Sequence, residues 1–240
     1  MLSLSEFFAE PDLVALVTDR HTDFTLKSSS GQLSDEQKAS LVKHVGHFIK
    51  ELVNLRQVHG SNVLEITRKY LSTYALLEAD GLITREANMP LTVRTADCLS
   101  VFMFDPQSRA IGLVHAGWKG SRQRIVPLTI RRMQDRYGTD PRNLKVAFGP
   151  AIRSCCYQVG PQFLQFFPGE VIEKNPGYFF DLPLANKRQL LECEVQEENF
   201  FDCGLCTACD PQFFSFRREG AKAGRMISVM MLRTSENSRA

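Results

Sequence analysis

Three residues that commonly bind metals lie far apart in this sequence, and each falls where a predicted β-strand breaks or ends. They are His59, Cys98 and His115, and no two of them have the short spacing of a zinc finger. Side chains from such distant segments can converge only in a preformed fold. Taken singly, a cysteine is more often a small buried apolar residue. Together, two imidazoles and a thiolate suit a borderline-soft ion and leave a fourth, tetrahedral position for water or substrate.

The hydrophobic pattern predicts strands and helices mixed within one domain. Strands are predicted at 13–17, 53–58, 62–67, 91–95, 99–104, 110–115, 144–148, 198–202 and 225–232. Helices are predicted from Ser34 to Leu52 and at 121–137, 161–167 and 183–192. His59-Gly60-Ser61 is predicted as a turn between two strands, and another strand is interrupted near Cys98. The fold class is an α+β or α/β sandwich with mixed sheets over 1–240, with 1–9 and 234–240 predicted to fray.

Charge and cysteine content limit the partners and the compartment. The chain has 29 Lys and Arg against 27 Asp and Glu, a net charge of +2 that is too balanced to indicate a nucleic-acid or membrane-surface partner. No apolar run approaches the roughly 20 residues that span a bilayer. An odd number of cysteines, seven, favours reduced thiols in the cytoplasm. We therefore expect a cytoplasmic monomer that acts on a small molecule, without nucleic-acid or membrane partners.

Most of the remaining cysteines fall into two groups. Cys203, Cys206 and Cys209 form a C-x-x-C-x-x-C run, but neither a second cysteine pair nor a histidine completes it nearby in the sequence. We predict structural thiols there, with a second metal site as the alternative. Cys155 and Cys156 could approach the first site as a spare ligand or nucleophile, although a buried, inert role is favoured for at least one of them.

Several motifs surround these residues. They are Arg56-Gln57-Val58-His59-Gly60, Ala79-Asp80-Gly81-Leu82-Ile83-Thr84, Thr95-Ala96-Asp97-Cys98, Val114-His115-Ala116-Gly117-Trp118, Gly149-Pro150-Ala151-Ile152, Cys155-Cys156-Tyr157-Gln158-Val159-Gly160, Cys206-Thr207-Ala208-Cys209, Phe213-Phe214-Ser215-Phe216-Arg217-Arg218 and Gly224-Arg225-Met226. In this order the motifs resemble the laccase-domain family, which is also called the polyphenol oxidase or purine nucleoside phosphorylase family.

The resemblance implies a single domain with an α/β/β/α sandwich of mixed sheets, related to deamidase toxins that use a Cys–His pair. It also implies a zinc ion held by His59, Cys98 and His115, with Cu²⁺ as the alternative metal. Family members are reported to deaminate adenosine and to phosphorolyse adenosine, inosine and methylthioadenosine. Other members have been assigned phenol oxidation or removal of a wrong amino acid from a peptidoglycan precursor.

Such chemistry needs a proton carrier near the metal. Zinc lowers the pKa of a bound water toward about 7, and a nearby carboxylate must then move the proton. The candidates are Asp97 and Asp80. The alternatives are that Asp97 only holds a ligand histidine and that Asp80 is a turn residue. Gln158 stands where the family usually has Glu, and its amide cannot act as a base.

Phosphorolysis also needs an anion site. Arg56, Arg217 and Arg218 are the candidates because a guanidinium matches the shape of phosphate, although solvent-facing charge is favoured for either Arg217 or Arg218. Gln57 lies in the same motif as Arg56 and is a further substrate-binding candidate. Trp118 could stack on a purine, but a single Trp is more often a core residue.

Three other functions stay open. Cys98 with His115 as base could form an amidase-like pair that edits a peptidoglycan precursor, with or without zinc. Copper-dependent phenol oxidation is disfavoured, because multi-copper sites normally use many histidines in His-x-His pairs and this chain has five histidines and no such pair. A metal ion could also only brace a non-enzymatic binding module.

Overall fold

A computed structural model describes residues 1–26, 33–46, 52–53, 55–70 and 77–234. Its strands are β1 (Leu2–Ser3), β2 (Leu13–Val17), β3 (Val63–Glu65), β4 (Gly81–Thr84), β5 (Leu91–Thr95), β6 (Leu99–Asp105), β7 (Ala110–Ala116), β8 (Lys145–Phe148), β9 (Gln158–Val159), β10 (Val171–Lys174), β11 (Gly177–Phe180), β12 (Phe200–Asp202) and β13 (Met226–Leu232). Its α-helices are α1 (Ser5–Phe8), α2 (Asp35–Val45), α3 (Trp118–Arg122), α4 (Ile125–Tyr137), α5 (Phe163–Phe166), α6 (Leu182–Glu192) and α7 (Phe216–Glu219).

Two sheets pack face to face in the centre of the molecule. One is mixed, with the strand order β12-β8-β6-β7-β4-β3, and the other is antiparallel, with the order β1-β2-β13-β5. The central core between them includes Val17, Val93, Met230, Phe102, Phe104 and Leu113. Helices α4 and α6 cover the outer face of the mixed sheet, and α2 covers that of the antiparallel sheet. The layers are therefore α/β/β/α, which confirms the predicted sandwich.

The hairpin of β6 and β7 lies at the centre of the mixed sheet. Every residue of both strands is buried, because one face meets the other sheet and the opposite face meets α4. Burial on both faces explains why these strands read as nearly continuous apolar runs. The carboxylate of Asp105 accepts the backbone N–H groups of Gln107 and Ser108 at the turn. The predicted hairpin is confirmed, with Cys98 directly before one arm and His115 within the other.

The predicted strand interruption near Cys98 is a change of sheet. β5 ends at Thr95 in the antiparallel sheet, and β6 begins at Leu99 in the mixed sheet. Asp97, between them, has a φ of 93°, a conformation that few residues other than glycine adopt. The crossing places Cys98 at the seam between the two sheets.

The two strands predicted on either side of His59 are only partly found. β3 covers the middle of the predicted 62–67 and pairs in parallel with β4. The described residues of the predicted strand 53–58 form two isolated bridges instead, Val53 to Leu91 and Arg56 to Glu78. A local pattern of apolar residues signals an extended chain but not its partner.

The predicted helices are partly revised. The capping box of Ser34 with Gln37 is confirmed, but α2 ends at Val45, and most of the remaining predicted turns lie outside the described residues. The helix predicted at 121–137 is divided into α3 and α4, because Arg124 adopts a left-handed φ of 62°. No helix in the described part of the chain is long and apolar enough to cross a membrane.

The N-terminus is ordered, contrary to the predicted fraying of residues 1–9. β1 pairs with β2, and Phe8 is fully buried in the central core. The amino group of Met1 also donates to Asp19 Oδ2 at 2.5 Å. Residues 235–240 lie outside the described residues.

Candidate metal centre and cavity

His59, Cys98 and His115 converge at the seam between the sheets. One potential ligand atom from each lies within 4.8 Å of the others. The β6–β7 register pairs His115 with Ser100, two residues after Cys98, so Cys98 and His115 lie diagonally across the same end of the hairpin. His59 reaches in from the loop before β3, and its ring centroid lies 4.8 Å from that of His115. The structure thus brings the three predicted ligands together.

Asp80 positions two of these three residues, His115 through its side chain and His59 through its backbone. Its Oδ1 lies 2.7 Å from His115 Nδ1, so that Nε2 of His115 remains for a metal. The same carboxylate accepts the N–H groups of Val58, His59 and Gly60 at 3.2, 3.0 and 2.8 Å. Burial raises the pKa of Asp80, but His115 and these N–H donors outweigh burial and lower it. Asp80 therefore orients the site, which corrects its assignments as turn residue or proton carrier.

Asp97 has different partners from those expected. Its Oδ1 accepts the hydroxyl of Thr207, and its Oδ2 accepts the backbone N–H of Arg217, both at 2.6 Å. The interpretation that Asp97 holds a ligand histidine is therefore wrong, because Asp80 does so. Asp97 nevertheless lines the cavity described below and adjoins Cys98.

Cys98 and His115 stabilise each other's charged form. Burial opposes ionisation of the Cys98 thiol, but the charge of His115 and hydrogen bonds with both histidines outweigh it, so the pKa of Cys98 is lowered. Burial likewise lowers the pKa of His115, and Cys98 and Asp80 together raise it above its ordinary value. The site therefore favours a thiolate, the form that binds metals and acts as a nucleophile.

Gly117 leaves room for the cysteine. A Cβ atom at this position would lie 2.9 Å from Cys98 Sγ and 3.2 Å from His59 Cδ2. The glycine of the Val114-His115-Ala116-Gly117-Trp118 motif is thus explained by close approach to the predicted ligands.

The donor set fits a divalent metal ion. Its ligand atoms lie within 4.8 Å of one another, close to the separations of about 3.3–3.8 Å that bonds of about 2.0–2.3 Å to one tetrahedral ion require. The contact of Asp80 with His115 is the support that metal-bound histidines usually have. The cavity beside the three residues provides the space that a fourth, exchangeable ligand needs.

A cavity of about 880 Å³ lies against the three predicted ligands. Four arginines line it, and Asp97 is the acidic residue among its described lining residues. Both carboxylate oxygens of Asp97 already accept hydrogen bonds. The four arginines are Arg56, Arg94, Arg217 and Arg225. The cavity is therefore positively charged and suits an anionic group.

Three of the predicted substrate-binding residues line this cavity, namely Arg56, Gln57 and Trp118. Arg56 is at its exposed rim and forms an ion pair with Glu78 at 3.1 Å. The Gln57 amide bonds both the carbonyl and the N–H of Arg94, at 2.9 and 2.8 Å, and so fixes the strand that carries this arginine. Trp118 lines the cavity and also stacks on Phe166, with an interplanar angle of 4°.

The two arginines of α7 have different surroundings. Arg217 lines the cavity, donates to the carbonyl of Gln158 at 2.9 Å and lies over the Tyr157 ring at 5.4 Å. Arg218 instead donates to the carbonyls of Thr207 and Ala208 at 2.8 and 3.1 Å and to other carbonyls of the same loop. Arg218 ties that loop together, so its assignment to substrate binding is corrected.

The cavity residues that sequence reasoning missed include Arg94, Arg225, Tyr157 and Phe216. Arg94 had a recognisable signal, since it is the charged residue of the apolar strand β5. Its burial and the nearby charge of Arg225 lower the pKa of Arg94 to about 10. Tyr157, Phe216 and Arg225 lie inside the resembling motifs, but no local pattern shows that they face the ligands.

The fold and site define a class, an α/β/β/α sandwich with two histidines and a cysteine at the seam of its sheets. Residues 30–233 match the family model described as multi-copper polyphenol oxidoreductase laccase. The chain belongs to this family, and the predicted membership is confirmed.

Characterised relatives and a solved structure agree with this membership. A purine nucleoside phosphorylase of Clostridium acetobutylicum is 33% identical over 187 residues, 76% of this chain and 78% of the relative. A protein named adenosine deaminase RL5, from an unknown prokaryotic organism, is 29% identical over 209 residues, 80% of this chain and 79% of the relative. The crystal structure of YfiH from Bacillus licheniformis has a TM-score of 0.84 at 25% identity and covers 97% of this chain and 96% of that one. The chain is accordingly an enzyme, and the non-enzymatic alternative is set aside.

Proposed function

We propose that this enzyme uses zinc to act on purine nucleosides, deaminating adenosine and phosphorolysing adenosine, inosine and methylthioadenosine. The observation that carries the proposal is the position of His59, Cys98 and His115 against an arginine-lined cavity. Its volume of about 880 Å³ is within the usual range for small-molecule sites. The names of the phosphorylase and deaminase relatives support the substrate class.

His59, Cys98 and His115 would hold the zinc ion. Two histidines and one cysteine with an exchangeable fourth position are typical of catalytic zinc. Blue copper sites add a weak axial ligand, most often Met, and no methionine is among the described residues lining this cavity. Bound there, zinc would act as a Lewis acid and lower the pKa of a bound water to about 7.

The arginines would bind phosphate, the second substrate of phosphorolysis. Arg94, Arg217 and Arg225 line one cavity, and a guanidinium binds phosphate through paired N–H donors. The Gln57 amide and the carbonyl of Leu55 hold Arg94 in place, the latter at 3.0 Å from the guanidinium. An anion in the cavity offsets the repulsion between these cations. Phosphate then replaces the base at C1′ of the ribose, giving ribose 1-phosphate and the free purine.

Aromatic side chains of the cavity would bind the nucleoside. Trp118, Tyr157 and Phe216 line the same space as the predicted metal ligands. Their rings offer the flat apolar surfaces on which a purine stacks. Phe216 is more than half exposed, at 53%, although it is a large apolar side chain, and a stacked substrate would cover it.

Asp97 is the proposed proton carrier. Both carboxylates accept hydrogen bonds, but Asp80 is buried behind His115 and Asp97 lines the cavity beside Cys98, so Asp97 is the one that a substrate could reach. Gln158 also lines the cavity but cannot exchange a proton as a base. Deamination consumes water at C6 of adenine and releases ammonia, so a proton must pass to the leaving amine.

The direct test is to incubate zinc-loaded protein with adenosine, with and without phosphate, and to separate the products. Inosine is expected in both cases, while adenine, hypoxanthine and ribose 1-phosphate are expected only with phosphate. His59→Ala should abolish all products. His21→Ala is the matched control, because the His21 side chain is 86% exposed and pairs with Asp19 outside the cavity. A folded, zinc-replete enzyme that forms none of these products contradicts the proposal.

The Cys98–His115 pair favours a second candidate, an amidase that edits a peptidoglycan precursor. Cys98 would attack the amide carbonyl, and His115 would pass the proton to the leaving amine. This candidate requires activity in metal-free protein and a covalent adduct on Cys98. Phenol oxidation would instead require stoichiometric copper and turnover that is lost in Cys98→Ser.

We further propose that the enzyme is a monomer in the cytoplasm. The seven cysteines are unbonded to one another, which supports a reducing compartment. Sedimentation of the reduced protein tests the monomer, and fractionation of cells tests the compartment.

A further inference from the structure

A second group of metal-binding side chains lies beside the cavity. Cys155 and Cys156, in the turn before β9, meet Cys206 and Cys209, in the loop after β12. The four sulfur atoms lie within 4.8 Å of one another. Cys209 Sγ is 3.5 Å from Cys155 Sγ and 3.3 Å from Cys156 Sγ. The fold therefore supplies the cysteine pair that the C-x-x-C-x-x-C run lacks in the sequence.

These separations suit a shared metal ion rather than disulfides. Sulfur atoms in a disulfide are about 2.05 Å apart, and all four cysteines are unbonded. Four thiolates bound to one tetrahedral zinc, each at about 2.3 Å, lie about 3.8 Å from one another. The observed separations, from 3.3 Å up to the limit of 4.8 Å, bracket that value.

A backbone turn links two of these cysteines. The N–H of Asp210 donates to the carbonyl of Cys206 at 2.9 Å and closes the turn that brings Cys209 back toward Cys206. The backbone itself therefore sets the spacing of this cysteine pair.

Backbone pairing also aligns the two loops. Ala151 forms a parallel bridge with Cys206, and the N–H of Thr207 donates to the Ala151 carbonyl at 3.1 Å. The side chains of Arg153 and Asp202 form an ion pair between the same segments. The four cysteines are thus brought together by a rigid frame, without a covalent link among them.

We propose that Cys155, Cys156, Cys206 and Cys209 bind one zinc ion in a closed, all-sulfur site. Four protein ligands complete the tetrahedron and leave no position for substrate, so the site is structural. It is distinct from the predicted catalytic centre and shares no side chain with it. The proposal stands independently of the substrate of the enzyme.

The zinc would brace two walls of the cavity. Thr207, between two of the ligands, donates its hydroxyl to Asp97 at 2.6 Å. Tyr157 and Gln158, directly after Cys156, line the cavity. Because both walls begin at the cysteine cluster, loss of its metal should loosen the cavity as well as lower stability.

The test first disables the other site with Cys98→Ser and His115→Ala. Zinc-loaded protein of this background should retain one zinc ion per chain, and its X-ray absorption spectrum should show only sulfur ligands, at about 2.3 Å. Wild-type protein should carry one zinc ion more. If the background variant does not fold, the wild-type zinc content and the sulfur excess of its averaged spectrum still decide the question.

Variants of the cluster complete the experiment. Cys155→Ser with Cys209→Ser should lose the retained zinc and lower the melting temperature. Cys193→Ser and Cys203→Ser are the matched controls and should retain the zinc, because both cysteines are unbonded and lie outside the group of four. Zinc retention by the background variant without Cys155 and Cys209, a single wild-type zinc ion that is lost in Cys98→Ser with His115→Ala, iron in place of zinc, or a disulfide among these cysteines in freshly purified, reduced protein would overturn the proposal.

Discussion

At the scale of single residues, one buried carboxylate organises the predicted metal centre. Asp80 contacts His115 directly and holds the loop of His59 through three backbone N–H groups. Its side chain is fully buried and is not among the described residues that line the cavity. A residue outside the cavity lining thus sets the positions of two predicted ligands.

Asp80→Asn should weaken zinc binding about 10- to 100-fold, the usual cost of losing such support. The amide keeps the size of the side chain but loses the charge that favours the His115 contact. Zinc affinity measured by competition with a chelator checks this. Asp105→Asn is the control, because Asp105 is equally buried but caps the remote β6–β7 turn, so the change should cost stability and leave zinc affinity intact.

Cys98 in metal-free protein should react with iodoacetamide at lower pH than an ordinary thiol. Its pKa is lowered in the folded protein, so the reactive thiolate persists as the pH falls. His115→Ala removes the stabilising partner and should move the midpoint of the alkylation rate to higher pH. Mass spectrometry of the labelled Cys98 peptide gives the rate, and an unchanged midpoint in His115→Ala would show that the pair is not coupled.

At the scale of elements, two neighbouring arginines of the short helix α7 have different roles. In α7, Arg217 lines the cavity, whereas Arg218 binds the carbonyls of the loop before it. Ser215 caps the start of the helix, because its hydroxyl accepts the N–H of Arg218. The cap fixes which of the two arginines points into the cavity.

Arg217→Gln should raise the KM for phosphate severalfold, because it removes a cation from the proposed anion site. Arg218→Gln is the matched change in the same helix. It should lower the melting temperature and leave that KM nearly unchanged, since its contacts are with carbonyls of the loop. Phosphorolysis rates measured against phosphate concentration separate the two, and equal effects on KM would contradict the placement of the arginines.

Much of the element pattern was predictable from the sequence, but strand pairing was not. Leu13–Val17 and the β6–β7 hairpin follow from local apolar runs and a turn signal, because those features act between near neighbours. The parallel pairing of β3 with β4 and the sheet change at Cys98 depend on distant contacts that leave no local trace. Arg94 did have a local signal, as the charged residue of the apolar strand β5, but nothing in β5 alone shows which cavity it lines.

At the scale of the whole molecule, the core between the two sheets is one of the main clusters of buried apolar side chains. Leu113 is fully buried there, on the inner face of β7. The cysteine cluster and the predicted catalytic centre lie at the margin of this core, where the sheets meet loops. Shape and reactivity thus depend on different parts of the sandwich.

Leu113→Ala should lower the free energy of unfolding by about 2–5 kcal/mol, because it leaves a cavity in a closely packed interior. Leu128→Ala is the matched control on α4, where the side chain is 44% exposed, and it should change the same quantity by about 0.5 kcal/mol or less. Urea denaturation of both variants measures the difference. Similar losses for the two leucines would show that the sheets do not pack as described.

The sheet change at Asp97 and Cys98 has a mechanical consequence. Cys98 directly follows a strand of one sheet and precedes a strand of the other, while His115 belongs to the second sheet alone. Any sliding of one layer over its neighbour would therefore alter the distance between the sulfur and the imidazole. A metal ion bound to both side chains would therefore link the two sheets and resist this sliding. Amide hydrogen exchange along β5 should slow when the ion binds.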